Sequence, residues 1–286
     1  ALLADTDAQV FFFGLGTPTR GKEARGTTRE ARFCPYCGQE LNYAYYHYSQ
    51  LGAYSCTSCG FKRPPAQVEA LSVQILNGVT RAIVRVRNEI VTLALPTVGF
   101  YNVYNALAVF GAGLWLGIIP AQIAATLGHY VPATGRLQEF IYKGRPVYLN
   151  LVKNPAGFNE SLNLLTATWE AKDLFIALND NDADGRDISW IWDVDFERLQ
   201  NRNEILRIVC AGTRAEEMAV RLKYAGIPAQ KIETCHRFSA GIRRTLEGYG
   251  SVVYLLATYT ALWPVEKILR RFATEVNSAH GMPPLP

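Results

Sequence analysis

Residues 179–197 read NDNDADGRDISWIWDVDFE and hold the densest chemistry of the chain. Six carboxylates, Asp180, Asp182, Asp184, Asp187, Asp193 and Asp195, fall within 16 residues, with Gly185 as a turn point and Trp190 and Trp192 among them. An acidic loop can do no more than solvate a strand end, and Asp180 and Asp182 are open either to that role or to Mg²⁺. The tryptophans argue for more than solvation around Asp193 and Asp195. An acid held against large rings is fixed in place and partly withdrawn from water. Just before, Leu174-Phe-Ile-Ala-Leu178 has the length and composition of a buried strand. The acids therefore follow a strand's carboxyl end, where ligands collect in parallel α/β sheets.

A second cluster is more specific. Cys34-Pro-Tyr-Cys37 and Cys56-Thr-Ser-Cys59 give C-x2-C-x18-C-x2-C, a spacing of four-thiolate zinc sites. Gly38 and Gly60 follow the second Cys of each pair and let the backbone turn so that both thiolates face one ion. Two disulfides or a redox dithiol are the alternatives, but paired knuckles in a sequence without an export signal favour zinc. Four thiolates leave no open coordination position, so the expected role is structural. Between the knuckles, Tyr43, Tyr45, Tyr46, His47, Tyr48 and Tyr54 can stack bases or give a small ribbon apolar area. Their few basic neighbours favour the second.

The elements that must position these groups come from the rest of the chain. At 286 residues, 49% apolar, with net charge +4 and mean hydropathy +0.01, it fits a soluble globular protein of two domains. No Lys/Arg run demands nucleic acid or an anionic membrane. Residues 92–135 lack Asp, Glu, Lys and Arg, which tests for a transmembrane helix. Pro96, Gly99, Asn102, Asn105, Pro120 and Gln122 interrupt that stretch, so a buried loop and core helix are expected instead.

Strands are expected at residues 10–14, 68–76, 82–86 and 90–95, with a connector at 17–32 and helices at 102–116 and 121–127. A linker at 131–135 divides the chain into domains 1–131 and 132–286. Beyond it, strands at 146–152, 174–178, 205–211 and 252–257 alternate with helices at 157–169, 192–201, 215–224, 240–247 and 263–276. That alternation is the signature of a mostly parallel, Rossmann-like α/β sheet.

Tyr101-Asn-Val-Tyr-Asn105-Ala-Leu-Ala followed by Leu116-Gly-Ile resembles the end of the central ATPase domain of Mur ligases. Gly135-Arg136 resembles the junction to their C-terminal domain. Lys153-Asn-Pro-Ala-Gly-Phe-Asn159-Glu, Ser189-Trp-Ile-Trp-Asp193-Val-Asp-Phe196 and Ala257-Thr-Tyr-Thr260 resemble a narrower family, the MurT subunits of lipid II isoglutaminyl synthase. A four-Cys ribbon at about residues 32–65, inserted in the central domain, is also a MurT feature.

The resemblance implies an α/β chain with a partial Mur-ligase central domain followed by a Rossmann-like domain. It implies ATP and Mg²⁺ in the complete enzyme, which activates the α-carboxylate of D-isoglutamate in the lipid II or muramyl peptide stem. Ammonia from a GatD-type glutaminase then gives D-isoglutamine, in the cytoplasm at the inner membrane face. Asn105 would lie near adenine or cap its helix. Arg136 would lie near nucleotide phosphates or ribose, or pair with Glu139. Lys153, Asn154 and Asn159 would line the acceptor side or form a capped turn. Asp193 or Asp195 would complete the partner's Cys-His pair.

A Mur-type ATPase needs a glycine-rich phosphate loop. Gly14-Leu-Gly16 lacks the following Gly-Lys, and Gly21-Lys22 precedes Glu23. The expectation is that the phosphate loop belongs upstream and that this stretch alone does not turn over ATP. Rival readings are a zinc-ribbon nucleic-acid binder using Arg32, Lys62 and Arg63, a Cys210–His236 nucleophilic pair, and a regulatory partner without catalysis of its own.

Overall fold

The computed structural model describes residues 7–8, 10–16, 31–48, 51–76, 79–97, 100–130 and 135–276. The connector expected at 17–32 and the linker at 131–135 fall almost entirely outside these residues, as does Gly21-Lys22. The chain forms two compact units, Ala1–Val131 and Pro132–Pro286.

The first unit contains β1 (Phe13–Leu15), β2 (Asn42–Tyr48), β3 (Leu51–Ser55), β4 (Val68–Leu76), β5 (Val79–Val86) and β6 (Glu89–Leu95), then α1 (Phe100–Trp115) and α2 (Pro120–Gly128). β4, β5 and β6 form an antiparallel meander, and β1 adds in parallel to β4. On β5 the period-2 pattern buries Thr80, Ala82, Val84 and Val86. Across from them α1 presents Val103, Ala106, Leu107 and Phe110, the spacing of one helical face. The charge-free stretch is thus core helix, and among the described residues no helix is long and apolar enough to cross a membrane. β2 and β3 form a separate antiparallel hairpin.

The second unit contains β7 (Gln138–Tyr142), β8 (Arg145–Leu151), α3 (Pro155–Thr166), β9 (Lys172–Ala177), β10 (Ile205–Ala211), α4 (Ala215–Tyr224), β11 (Ile232–Thr234), α5 (Phe238–Leu246), β12 (Val252–Ala257), α6 (Tyr259–Leu269) and β13 (Thr274–Glu275). Its sheet runs β11-β10-β9-β12-β8-β7-β13. From β11 to β8 the pairs are parallel, whereas β8–β7 and β7–β13 are antiparallel. Every residue of β9 is buried. Leu174 and Ile176 face the cluster containing Phe158, Met218 and Leu222, while Phe175 and Ala177 face that of Ile242, Leu262 and Val265. Helix cover on both faces is why the strand reads as a continuous apolar run.

Two expected helices differ. Residues 192–201 form no α-helix but two 3-10 turns, Ser189–Asp193 and Phe196–Leu199. Ile191, Val194, Phe196 and Leu199 all enter one core. Residues two apart lie on roughly opposite sides of an α-helix, so that burial pattern rules it out. The last helix begins at Tyr259 and ends at Leu269, with Pro264 inside it, rather than spanning 263–276. β7, β11 and β13 were not expected; they are short and lie toward the sheet margins.

The turn after β10 depends on Gly212. Its φ is +95°, and a Cβ there would stand 2.3 Å from the Leu178 carbonyl oxygen and 2.7 Å from Asn179 Oδ1. Gly212→Ala is expected to lower the unfolding free energy by at least about 1–3 kcal/mol, read from urea denaturation.

Candidate functional site

Asn179, two residues past the end of β9, gathers the neighbouring strand ends. Its N–H donates to Thr258 Oγ1 at 3.0 Å, its Nδ2 donates to Thr260 Oγ1 at 2.9 Å, and its Oδ1 accepts from the Thr213 N–H at 3.0 Å. Around this hub the acids find partners one by one. Asp180 accepts from Thr213 Oγ1 at 2.8 Å and from Arg214 Nη2 at 2.7 Å. Those two donors hold its carboxyl below the usual carboxylate range. Asp182 pairs with Arg186 at 2.7 Å. Asp184 accepts the Thr260 N–H at 2.8 Å and also its hydroxyl. Asp187 accepts the Ser189 N–H at 2.8 Å, which lowers its pKa.

Asp195 is also tied in place. Its carboxylate meets Arg198 Nη2 at 3.2 Å, and its N–H donates to Asn159 Oδ1 at 2.8 Å. Asp193 differs from the other five. It is exposed, and among the described residues its carboxylate has no hydrogen bond or ion pair. Beside it stand two exposed rings, Trp192 and Tyr224, with centroids 5.8 Å apart. The turn that carries Asp193 rests on the buried Arg221 of α4, whose Nε and Nη2 donate to the carbonyls of Ile191 and Val194. Sequence reasoning passed over Arg221. Its signal was a lone charge set three residues after Met218 and one before Leu222, within the apolar stripe of α4.

The remaining predicted residues are distributed as follows. Asn154 caps α3, its Oδ1 accepting the Gly157 N–H at 2.8 Å, and Lys153 beside it is exposed. Asn159 binds the Asp195 backbone, joining α3 to the acidic segment. Asn105 lies in the second turn of α1 and is exposed, so it is not that helix's cap. Arg136 is exposed between Gly135 (φ +77°) and Leu137 (φ +54°), in a turn pinned by the bond from the Leu137 N–H to Asn150 Oδ1. Asn105 and Arg136 belong to different units.

The four cysteines converge. Their sulfurs all lie within 4.8 Å of one another, with Cys34–Cys59 and Cys37–Cys56 at 3.5 Å. Each knuckle repeats the same turn: Gly38 N–H donates to the Cys34 carbonyl and Gly60 N–H to the Cys56 carbonyl. Gly38 and Gly60 have φ near +75°, at 73° and 75°. The Cys59 N–H helps push the Cys56 thiol down to about 7. At Cys34 burial opposes ionisation, but N–H groups of Tyr36 and Cys37 outweigh it and lower the pKa. Four sulfurs around a zinc at about 2.3 Å stand roughly 3.8 Å apart in a tetrahedron, so this donor set fits the ion. Among the described residues, no other group of three His, Cys, Asp or Glu side chains could hold a metal. Asp180 and Asp182 are each paired with an arginine.

Other rivals lose their chemistry here. Cys210 is fully buried, which pushes its thiol up to about 12, while His236 is exposed and paired with Glu216 at 3.0 Å. Arg32 is paired with Glu40 and Arg63 donates to Tyr45 Oη, while Lys62 is exposed. A cavity of about 720 Å³ lined by Lys143, Arg145 and Tyr249 opens at the opposite, amino-terminal end of the sheet.

A mixed α/β sheet with its acids at the carboxyl ends, preceded by a helix-covered meander, places the chain in the Mur-ligase-like class. Among solved structures, the pseudomurein peptide ligase type C of Methanothermus fervidus is similar, with TM-score 0.66 and 22% identity over 91% of this chain and 52% of that one. The UDP-N-acetylmuramate-alanine ligase MurC of Thermotoga maritima gives TM-score 0.56 and 14% identity over 73% of this chain and 46% of that one. At these identities the likeness concerns fold.

Sequence comparison narrows the class. Residues 151–262 match the family "MurT ligase C-terminal". The lipid II isoglutaminyl synthase (glutamine-hydrolyzing) subunit MurT of Staphylococcus aureus is 37% identical over 92% of this chain. The subunit of the same name from Streptococcus pneumoniae is 31% identical over 91%. The chain belongs to the MurT family. It spans 58% and 57% of the length of these two relatives.

Asp180 has a lowered folded-state pKa, so its interactions stabilise the fold above the unfolded value of about 3.9 and fade as pH falls through the folded value. Asp180→Asn is therefore expected to be less stable than wild type at pH 7. The gap should close in acid, as followed by denaturation at a series of pH values.

Proposed function

We propose that this chain forms part of an ATP- and glutamine-dependent ligase that amidates the lipid II stem peptide, converting the α-carboxylate of D-isoglutamate to D-isoglutamine. The observation that carries this reading is the 37% identity, along 92% of the chain, to a protein named as a subunit of that glutamine-hydrolysing synthase. The comparison covers 58% of that relative, so the ATP-dependent step draws on a longer protein than this stretch. ATP with Mg²⁺ supplies the phosphoryl group that gives an otherwise inert carboxylate a leaving group. Arg136 and Asn105 are the residues of this chain assigned to the nucleotide. Lys153 and the α3 amino end are assigned to the acceptor, where backbone N–H groups and a cation favour an anion.

Glutamine hydrolysis is assigned to a GatD-type glutaminase docked at Asp193. A triad acid must orient an imidazole and stabilise its charged form, which requires an ionised carboxylate with a free lone pair. Asp195 is already bound to Arg198, whereas Asp193 is exposed and unengaged among the described residues. The neighbouring Trp192 and Tyr224 offer the aromatic anchors that protein interfaces favour. The work belongs in the cytoplasm at the inner membrane face, where the lipid-borne substrate is held. Zinc at Cys34, Cys37, Cys56 and Cys59 has a structural part only, since four thiolates fill its shell.

Two outcomes test this. In the full-length complex with its glutaminase, Asp193→Asn is expected to lower glutamine hydrolysis at least about a hundredfold, and Asp195→Asn less than about tenfold. If neither substitution lowers hydrolysis, the acid assignment is wrong. For the ribbon, elemental analysis should find one zinc per chain. Cys34→Ala or Cys56→Ala should abolish it and melt the residue 32–65 ribbon, seen as lost NMR dispersion for its amides. A full zinc complement in both variants would refute the ligand set.

A further inference from the structure

Asp193 can serve a partner only if it is presented in one place, yet it ends a five-residue 3-10 turn, Ser189–Asp193. Such turns have poor hydrogen-bond geometry and little stability of their own. The support comes from α4. Arg221 is 2% exposed, and its guanidinium lies 5.2 Å from the ring centroids of both Trp192 and Phe196. Nε donates to the Ile191 carbonyl at 3.1 Å, and Nη2 donates to the Val194 carbonyl at 2.7 Å. Those carbonyls bracket Trp192-Asp193. The far edge of the fork meets both carboxylate oxygens of Glu197, at 2.9 Å from Nη1 and 3.0 Å from Nη2. A rigid planar donor fork can hold two carbonyls, one carboxylate and two ring faces together; an ammonium cannot.

We infer that Arg221 is a positioning residue for Asp193, acting through the backbone of residues 191–194 and through the Trp192 ring, without touching substrate or cofactor. The inference rests on the reading of Asp193 as the acid that assists the glutaminase. Arg221 fixes the peptide units on either side of Asp193 and stacks on Trp192, so carboxylate and interface ring are set by one group. Its α4 neighbours make that placement rigid: Met218 and Leu222 are fully buried in the core that also holds Ile191 and Val194. Misplacing a catalytic group by about 1 Å can cost roughly a hundredfold in rate. A buried arginine that merely stabilised the fold would behave differently, because its loss would matter equally with or without Asp193.

The test is a double-mutant cycle on glutamine hydrolysis by the full-length protein in complex with its glutaminase. The variants are Asp193→Asn, Arg221→Lys, Glu197→Gln and each of the last two combined with Asp193→Asn. Folding is followed by circular dichroism and assembly by size-exclusion chromatography. Arg221→Lys should fold and assemble, and should lower kcat on the order of ten- to a hundredfold with KM for glutamine within about twofold. On the Asp193→Asn background it should lower kcat no further than about twofold, the non-additivity of groups that act as a unit. Glu197→Gln, at the exposed end of the fork, should lower kcat about threefold and likewise have no further effect without Asp193.

Wild-type kcat in both Arg221→Lys and Glu197→Gln overturns the inference. So does an equal loss from either variant with and without Asp193. Should Arg221→Lys fail to fold, Glu197→Gln decides alone. Full hydrolysis by Asp193→Asn would instead remove the reading of Asp193 itself. Collapse in Asp193→Asn with no effect at Arg221 or Glu197 would remove only the role of Arg221.

Discussion

The second unit depends on how Asn179 closes the carboxyl end of its sheet. Three parallel strands, β9, β10 and β12, finish side by side, and their following loops diverge with polar backbone to satisfy. Asn179 alone bonds the loop after β10 through Thr213 and the loop after β12 through Thr258 and Thr260. An amide side chain can donate and accept at once, so it can bridge a backbone N–H and a hydroxyl where a carboxylate could not. Gly212 is the counterpart of that arrangement, since any Cβ there would collide with the Leu178 carbonyl and with Asn179. Buried polar groups of this kind are stable only when fully bonded, which fixes the origin of the acidic segment.

From that origin the charges sort themselves. Asp180, Asp182, Asp184, Asp187 and Asp195 each engage a cation, an N–H or a hydroxyl of this chain. Asp184 does so by acting as the N-terminal anion of α6, a place where the helix dipole favours negative charge. The density of acid is therefore mostly architecture. Its product is the isolation of one carboxylate, Asp193, on a turn braced by a buried guanidinium. Bracing from beneath leaves the carboxylate itself without a partner among the described residues.

Much of this was legible in the residues, and the illegible part has a common cause. The alternation of strands and helices beyond residue 146 gave the mostly parallel sheet, and the apolar run 174–178 fits β9, whose burial on both faces leaves no polar alternation. Likewise the cysteine spacing with Gly38 and Gly60 gave the clustered thiols, because a knuckle is local. What local reasoning missed was set at long range. The start of α6 at Tyr259 relies on Asp184, 76 residues away by the Thr260 bond, so a reading of local sequence placed this helix at 263–276 instead. The 192–201 segment has helical composition, but Asn159 on α3 and Arg221 on α4 take its backbone groups, and the core takes Val194 together with Phe196. Arg198 and Asn159 engage Asp195 in the same way, whereas Asp193 has no partner among the described residues. Two acids one residue apart carry the same signal until their partners are seen.

The two clusters that bracket the chain's chemistry solve one problem by opposite means. Among the described residues, the apolar cluster of the cysteine ribbon is Cys34, Leu41 and Cys56, with Tyr43, Tyr54 and Phe61 packed against them. So small a core cannot by itself hold a hairpin and two knuckles. Four converging sulfurs offer the alternative, a metal whose binding energy is folding energy. The acidic segment has no such need, because its turn lies on Phe158, Met218, Leu222 and the rest of a large core. There, arginines, N–H groups and a hydroxyl engage five of the six acids. Where apolar area is scarce, ligands to an ion must all point inward. Where it is plentiful, one acid can be left pointing out.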